Sequence, residues 1–188
     1  MLASNLQIIA AKLKKMPFFV GTNDLDRMLY KQLLFLVVAG IKPVCQVSAA
    51  YWQATTKGGV AKPYERRVIA SALEELGLVY HLQSDRHTLL VTASKEIAFV
   101  EKLLNTTDDI EAGKLFGYPA TAIAAFPTRD QDCLSIEDQD AILFRLDPAH
   151  QFYNLPCFRM SKQHYRMELK AIECWLHVLR QYDLLTTD

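Results

Sequence analysis

The chain has 188 residues, of which 51% are hydrophobic and 22% are charged. This composition is ordinary for a globular protein and excludes an intrinsically disordered chain. The 21 basic residues balance the 21 acidic ones, which excludes a strong overall attraction to nucleic acid or anionic membranes but leaves room for a local patch. The length predicts a single domain over residues 1–188, in which a C-terminal helix (161–185) packs on an N-terminal helical part (1–62).

The cysteines and the apolar segments predict the compartment. The four cysteines lie far apart without any CxxC pair, which argues against a zinc ribbon or a thioredoxin-type site; they are Cys45, Cys133, Cys157 and Cys174. Reduced thiols in the cytoplasm are the expected state. Met1–Met16 places its lysines after its apolar residues, which is the reverse of a secretion signal. The longest apolar run, Leu33–Ile41, is too short to span a bilayer. We expect a soluble, cytoplasmic protein, and no motif indicates a cofactor.

Two helices are predicted at the N-terminal end. Ser4–Lys15 carries apolar residues at helical spacing and predicts an amphipathic helix. Thr22 or Asn23 would cap a second helix, which runs to about Ala39 and is stopped by Gly40. The second half of this helix is apolar on every side, which is typical of a helix in the middle of a core or in a subunit interface.

The next segments predict a helix followed by a hairpin. Val44–Trp52 is short and apolar and fits either a strand or a helix, while Gln53–Lys62 predicts a loop. Pro63 opens a helix with one apolar stripe, which ends near Leu76. Residues 78–92 combine two arms rich in β-branched and aromatic residues with a Ser-Asp-Arg turn, which predicts an antiparallel hairpin.

The centre of the chain, Asp108–Phe126, predicts two helices joined by a sharp corner. Gly117 suits the left-handed position after a helix end, because it has no Cβ. Tyr118 precedes a proline and is therefore disfavoured in the α region. Pro119 suits the first position of a new helix, since its φ is preset and it lacks an N–H. Small side chains around the corner would let the two helices approach closely.

The corner supports two interpretations. One is a packed helix corner without chemistry. The other is a small polar pocket at the break, where the unbonded N–H groups of the second helix attract an anion. The ligand-binding residues of that pocket would be Lys114, Tyr118 and Thr121.

A resemblance starts at this corner. The run Phe116-Gly117-Tyr118-Pro119, followed by Thr121-Ala122 and ending in Phe126, resembles a motif of an uncharacterised prokaryotic family. The motif there is Leu-Gly-Tyr-Pro, one residue, two cysteines and an apolar stretch ending in Phe. The likeness is confined to this segment. Because a threonine and an alanine replace the cysteine pair, the resemblance implies a shared corner and no metal or redox chemistry.

The remaining elements complete the predicted fold. Ser94–Leu104 is expected to be a helix, Pro127–Asp140 a solvated acidic loop, Ala141–Leu146 an apolar element and Leu155–Met160 an edge strand. A last helix, from a Ser161 cap to about residue 185, carries an apolar seam. We therefore predict an α+β fold, mainly helical, with a small antiparallel sheet built on the hairpin 78–92. Residues 44–47 and 155–160 are candidates to join that sheet.

Two clusters of ionisable residues are candidate chemical sites. Glu168 falls in the apolar arc of the last helix, which is unusual for a glutamate. It is a candidate catalytic acid or a structural partner of Arg159 or Arg166. His81 and His87 flank the hairpin turn, but they lack the third and fourth ligands that zinc needs. The sequence therefore predicts no metal site.

Three functions remain open at this stage. The first is a non-enzymatic interaction module that self-associates into a homo-oligomer through its apolar helix and last-helix seam. The second is a winged-helix-like nucleic-acid-binding protein, because the helix 63–76 and the hairpin resemble the recognition helix and wing of that class. Its contacts would be Arg66, Arg67 and Arg86, although Glu65, Glu74 and Glu75 in the same segment argue against phosphate binding, so nucleic acid is not the expected partner. The third is an enzyme or small-ligand-binding protein with its pocket at the Gly117 corner.

Overall fold

A computed structural model describes residues 2–16, 24–48, 53–55, 61–63, 66–83, 88–146 and 156–185. The helices are α1 (Leu2–Lys15), α2 (Asp24–Val38), α3 (Arg66–Glu74), α4 (Ile97–Asn105), α5 (Asp109–Leu115), α6 (Ala120–Ala125), α7 (Arg129–Asp132), α8 (Ile136–Leu146) and α9 (Tyr165–Gln181). The strands are β1 (Val44–Ser48), β2 (Gln53–Thr55), β3 (Ala61–Pro63), β4 (Leu78–Leu82) and β5 (Thr88–Ala93). Short 3-10 turns, Ser94–Glu96 and Phe126–Thr128, precede α4 and α7. The predicted α+β class is confirmed.

The main sheet has three antiparallel strands in the order β1-β5-β4. Cys45 of β1 lies opposite Val91 of β5, which in turn lies opposite Tyr80 of β4. These pairings confirm the predicted hairpin, whose turn, residues 84–87, lies outside the described residues. Residues 44–48, for which the sequence fitted either a helix or a strand, form a strand.

The segment before α3 differs from the prediction. Residues 53–62, expected to be a loop, contribute two short strands, and Pro63 ends β3 opposite Gln53 instead of opening the helix. Proline is tolerated there because β2 and β3 form a two-stranded sheet in which both strands are edges. The helix begins at Arg66, and Gly77, with φ of +73°, follows its end as predicted. The Thr22–Asn23 cap and the glycines at 58 and 59 lie outside the described residues.

Residues 127–140 are not a loop. They contain α7 and the first half of α8, and the predicted apolar element 141–146 is the second half of α8. Ser135 explains the difference, because its Oγ accepts a 3.0 Å hydrogen bond from the Asp138 N–H. Glu137 and Asp138 lie in the first turn of α8, where the helix dipole favours acidic side chains. The acids that suggested a solvated loop therefore stabilise a helix start.

The prediction of an edge strand at 155–160 is also wrong. Residues 156–160, the part of this segment that the structure describes, form no strand. Pro156 has no N–H to donate to a ladder, and Cys157 has φ of +55°, which interrupts any extended run. The chain instead makes an isolated bridge between Ser161 and Cys133. Helix α9 has His164 at its N-terminal cap instead of the predicted Ser161, and it ends at Gln181.

Helix α2 runs through the middle of the core. Leu33, Leu34, Phe35, Leu36 and Val37 are all buried. They belong to one apolar cluster with residues of α1, α3, the main sheet, α8 and α9. The helix is therefore apolar on every side because other parts of the same chain surround it. Within the described residues, no helix combines the length and the apolarity that crossing a membrane requires.

Candidate functional site

The predicted corner between α5 and α6 is present. Helix α5 ends at Leu115, Gly117 has φ of +70°, and α6 begins at Ala120. The Tyr118 N–H donates a 3.0 Å hydrogen bond to the Gly113 carbonyl, which closes the end of α5. Pro119 precedes the first helical residue and does not occupy it. The two helices touch closely, since a Cβ added at Gly113 would lie 3.0 Å from Cγ1 of Ile123.

The corner packs against the short link between α2 and β1. A Cβ added at Gly117 would lie 2.9 Å from Cδ of Pro43 and 3.6 Å from Cα of Lys42. The Pro43 carbonyl accepts a 2.8 Å hydrogen bond from the Thr92 hydroxyl of β5. This link therefore contacts both the main sheet and the corner.

Replacing Gly117 with alanine tests that contact. Gly77 is the matched control, because its φ of +73° is similar but a Cβ added there would meet nothing within 4 Å. We expect Gly77→Ala to lower the unfolding free energy by about 1 kcal/mol, from backbone strain alone. Gly117→Ala should cost about 2 kcal/mol, since Pro43 must also move. Urea unfolding of both variants measures the difference, and equal losses would contradict the close approach.

Lys42 of the α2–β1 link is buried beneath the corner. Its side chain is 2% exposed. The Nζ atom donates a 3.1 Å hydrogen bond to the Phe116 carbonyl, which is the C-terminal cap of α5. It also lies 4.9 Å from the ring centroid of Tyr118 and 4.3 Å from that of Trp175. Burial lowers the pKa of the Lys42 amine. No ion pair to Lys42 is present among the residues that the structure describes.

The other ionisable groups around Lys42 hold their protons. Burial raises the pKa of the Cys45 thiol to about 12. Burial also raises the pKa of the Tyr118 hydroxyl. A thiol in this state is a poor nucleophile, because the reactive form is the thiolate. The surroundings of Lys42 therefore do not activate Cys45.

A cavity of about 270 Å³ opens beside the corner, between α5, α6 and residues 157–159. We call it the corner cavity. Tyr118 lines it, as predicted for a ligand-binding residue, but Lys114 and Thr121 do not. Lys114 is exposed and forms a 2.7 Å ion pair with Glu111, which raises the pKa of the lysine. Thr121 lines a separate cavity of about 440 Å³ beside His164. The three predicted ligand residues therefore do not share one pocket.

Glu168 is completely buried, at 0% exposure. One carboxyl oxygen accepts a 2.7 Å hydrogen bond from the Thr121 hydroxyl, and the other accepts a 2.8 Å bond from the Ser161 N–H. The group thus links α6, the segment before α9 and α9 itself. Both of its carboxyl oxygens already accept a hydrogen bond, so the side chain connects these segments structurally. A catalytic role for Glu168 stays a prediction.

The two predicted basic partners of Glu168 are engaged elsewhere. Arg159 donates through Nε, at 3.1 Å, and through Nη2 to the Leu134 carbonyl. Arg166 donates to the Tyr165 hydroxyl at 3.3 Å. Sequence spacing suggested these pairs because the residues are close in the chain, but the fold turns their side chains to other acceptors.

The predicted nucleic-acid contacts lie around the start of α3. Arg66 and Arg67 occupy the first two positions of that helix, and Arg86 lies outside the described residues. Glu75 follows the end of α3, where its carbonyl accepts a 3.4 Å hydrogen bond from Lys12 of α1. The Lys12 ammonium is also 4.0 Å from the Glu75 carboxylate.

The described residues include no cluster of three or more His, Cys, Asp or Glu side chains arranged for a metal ion.

The sequence analysis did not identify Lys42 as a buried residue that contacts the corner. The available signal was a single lysine between an all-apolar helix and an apolar strand, in the run Gly-Ile-Lys-Pro-Val. Lysine is almost never fully buried without a partner. No protein-family model, curated protein or solved structure compared with the chain matches it, so the motif resemblance stays a prediction and the function must be argued from the geometry.

Proposed function

We propose that the protein binds double-stranded DNA through α3 and the β4–β5 hairpin. The observation that supports this is the topology. Strand β1 and the β4–β5 hairpin form a sheet of order β1-β5-β4, and α3, which precedes β4 in the chain, packs on β4. In the winged-helix class, a recognition helix is likewise followed by a hairpin whose turn forms the wing, and a strand from before the helix completes the sheet.

The chain departs from that class immediately before α3. A helix-turn-helix has a helix before its recognition helix, whereas the described residues between β1 and α3 form the β2–β3 pair. The proposal therefore assigns DNA contact to α3 and the hairpin alone. The β2–β3 pair would lie next to them along the chain.

The charges along α3 place two of the three glutamates of this segment away from the proposed contacts. Recognition helices contact base edges with their N-terminal residues, and in α3 these positions hold Arg66 and Arg67. Glu74 and Glu75 come at the opposite end, where Glu75 is close to Lys12, whereas Glu65 directly precedes Arg66 in the chain. Residues 57–67 carry four basic residues and one acidic residue. A chain with no net charge thus has a basic segment next to the proposed contact helix.

The test is fluorescence anisotropy of a labelled mixed-sequence duplex at low salt and at increasing salt. We expect the wild-type affinity to fall as salt rises, since binding releases counterions from the phosphates. The double variant Arg66→Ala/Arg67→Ala should bind about tenfold more weakly, with a salt slope reduced by about one for each lost phosphate contact.

The control variant is Lys102→Ala/Lys170→Ala, which removes the same amount of charge from exposed positions of α4 and α9. It should bind like the wild type. Absence of wild-type binding at low salt, or equal weakening by both double variants, would contradict the proposal.

Self-association into a homo-oligomer is a second candidate function, and the exposed apolar side chains of α4 support it. Burial of α2 needs no second copy, because the same chain covers it. However, α4 exposes Ile97 and Leu104 at 42% and 41%, seven residues apart on one side of the helix, and a contact with a second copy would cover them. Self-association therefore stays a prediction for light scattering to decide, as does a cytoplasmic location, where the four thiols would stay reduced.

A further inference from the structure

We propose that the corner cavity is the binding site of a small organic acid with an apolar body. This site is independent of the DNA-binding proposal, because it lies between α5, α6 and residues 157–159 and includes no residue of α3 or the hairpin.

The walls of the cavity favour an apolar body. Five of the eleven lining residues have large aromatic or aliphatic side chains: Phe116, Tyr118, Ile123, Phe126 and Phe158. The Tyr118 ring is fixed between two neighbours, since its centroid lies 5.6 Å from that of Phe116 and 5.4 Å from that of Phe158. A volume of about 270 Å³ accommodates a molecule built on one substituted ring or a short alkyl chain. Enclosing such a body removes apolar surface from water on both sides.

Small residues of α5 and α6 create the space. Ala112, Gly113 and Ala122 form the part of the wall where the two helices come together. Leucines at these positions would fill the cavity, and a Cβ at Gly113 would already crowd Ile123 at 3.0 Å. The small side chains that the sequence placed around the corner thus leave room beside it as well as allowing close packing.

The polar groups of the cavity select an anion. Arg159 is the basic residue in the lining, and its guanidinium is held in place by two hydrogen bonds to the Leu134 carbonyl. A guanidinium has five N–H donors, so donors remain for a carboxylate after those two bonds. Burial raises the pKa of the Tyr118 hydroxyl, so this group does not compete as an anion. Asp109, the acid in the lining, is an exposed residue at the start of α5.

The test compares acids with uncharged molecules of the same shape. Isothermal titration calorimetry of the purified full chain, without nucleic acid, would use benzoate and hexanoate as probes and benzyl alcohol and hexanol as their matched alcohols. We expect each acid to bind at least about tenfold more tightly than its alcohol, since a hydrogen bond to a charged group is worth about that factor. Equal binding of acid and alcohol, or no binding of either acid, would overturn the proposal.

Two variants locate the site. Ala112→Leu, at a half-buried position of the lining, should abolish binding of every probe, whereas Ala124→Leu, at an exposed position of α6, should bind like the wild type. Arg159→Gln should reduce acid affinity to that of the alcohol. If Arg159→Gln fails to fold, Ala112→Leu and Ala124→Leu still test the site. An Ala112→Leu variant that binds the probes with wild-type affinity would overturn the assignment. No duplex is present, so failure here leaves the DNA-binding result intact, and the reverse also holds.

Discussion

Glu168→Ala is expected to lower the unfolding free energy by about 3 kcal/mol, because it removes the acceptor of two interior hydrogen bonds. The Ser161 N–H is buried and would lose its 2.8 Å partner, while the Thr121 hydroxyl would lose its 2.7 Å partner. An unsatisfied buried donor costs about 1–3 kcal/mol, whereas a made bond contributes less. Chemical denaturation monitored by circular dichroism measures the loss.

Glu168→Gln is the matched control. Its amide oxygen can still accept from the Ser161 N–H, and its NH2 group can donate to the Thr121 hydroxyl, which rotates to accept. We expect this variant to lose only about 1 kcal/mol. Equal losses in the alanine and glutamine variants would contradict the hydrogen-bond account.

Lys42→Ala is expected to cost about 3 kcal/mol at neutral pH. The change empties the space that the lysine stem occupies near the rings of Tyr118 and Trp175, and it leaves the Phe116 carbonyl without its 3.1 Å donor. Lys42→Met is the control, because it retains the length and packing of the stem and removes the amine. It should lose much less than the alanine variant.

The stability difference between the wild type and Lys42→Met is expected to depend on pH. Burial places the pKa of Lys42 in the folded protein below its ordinary value of 10.5. Between the lowered value and 10.5 the unfolded chain binds more protons than the folded one, so the Lys42 contribution to stability rises with pH, by at most about 1.4 kcal/mol per pH unit. The unfolding free energy of the wild type minus that of Lys42→Met should therefore increase as pH rises through this window. Cys45, with a raised pKa, has the opposite effect; because it is present in both proteins, the part of its effect that does not depend on the Lys42 charge cancels in the difference. A difference that does not change with pH would contradict the buried amine.

These two residues explain how the corner is fixed in place. Lys42 holds the end of α5 from the α2–β1 link, and Glu168 holds α6 from α9. The corner cavity thus lies beside two short helices whose positions depend on interior polar contacts with distant parts of the chain. A ligand in the cavity would add contacts next to both anchors.

Several elements were predictable because their causes are local. The apolar stripe of α3 with Gly77 after it, the hairpin and the Gly117 corner each follow from spacing, turn residues or backbone preference within a few positions. The burial of Glu168 was also predictable, since its angular position on α9 places it among apolar residues. Its partners were not predictable, because Thr121 and the Ser161 N–H come from other segments that only folding brings near.

The sequence by itself determined the α+β class, the corner and the positions of most helices, because each depends on interactions between near neighbours in the chain. The tertiary structure alone decided that α2 is covered by its own chain, that the acids of residues 137 and 138 begin a helix, and that a lone lysine lies beneath the corner. It also decided that Lys114, Tyr118 and Thr121 point to different places. Burial and hydrogen-bond partners depend on which distant surfaces meet, and the spacing of residues along a chain does not contain that information.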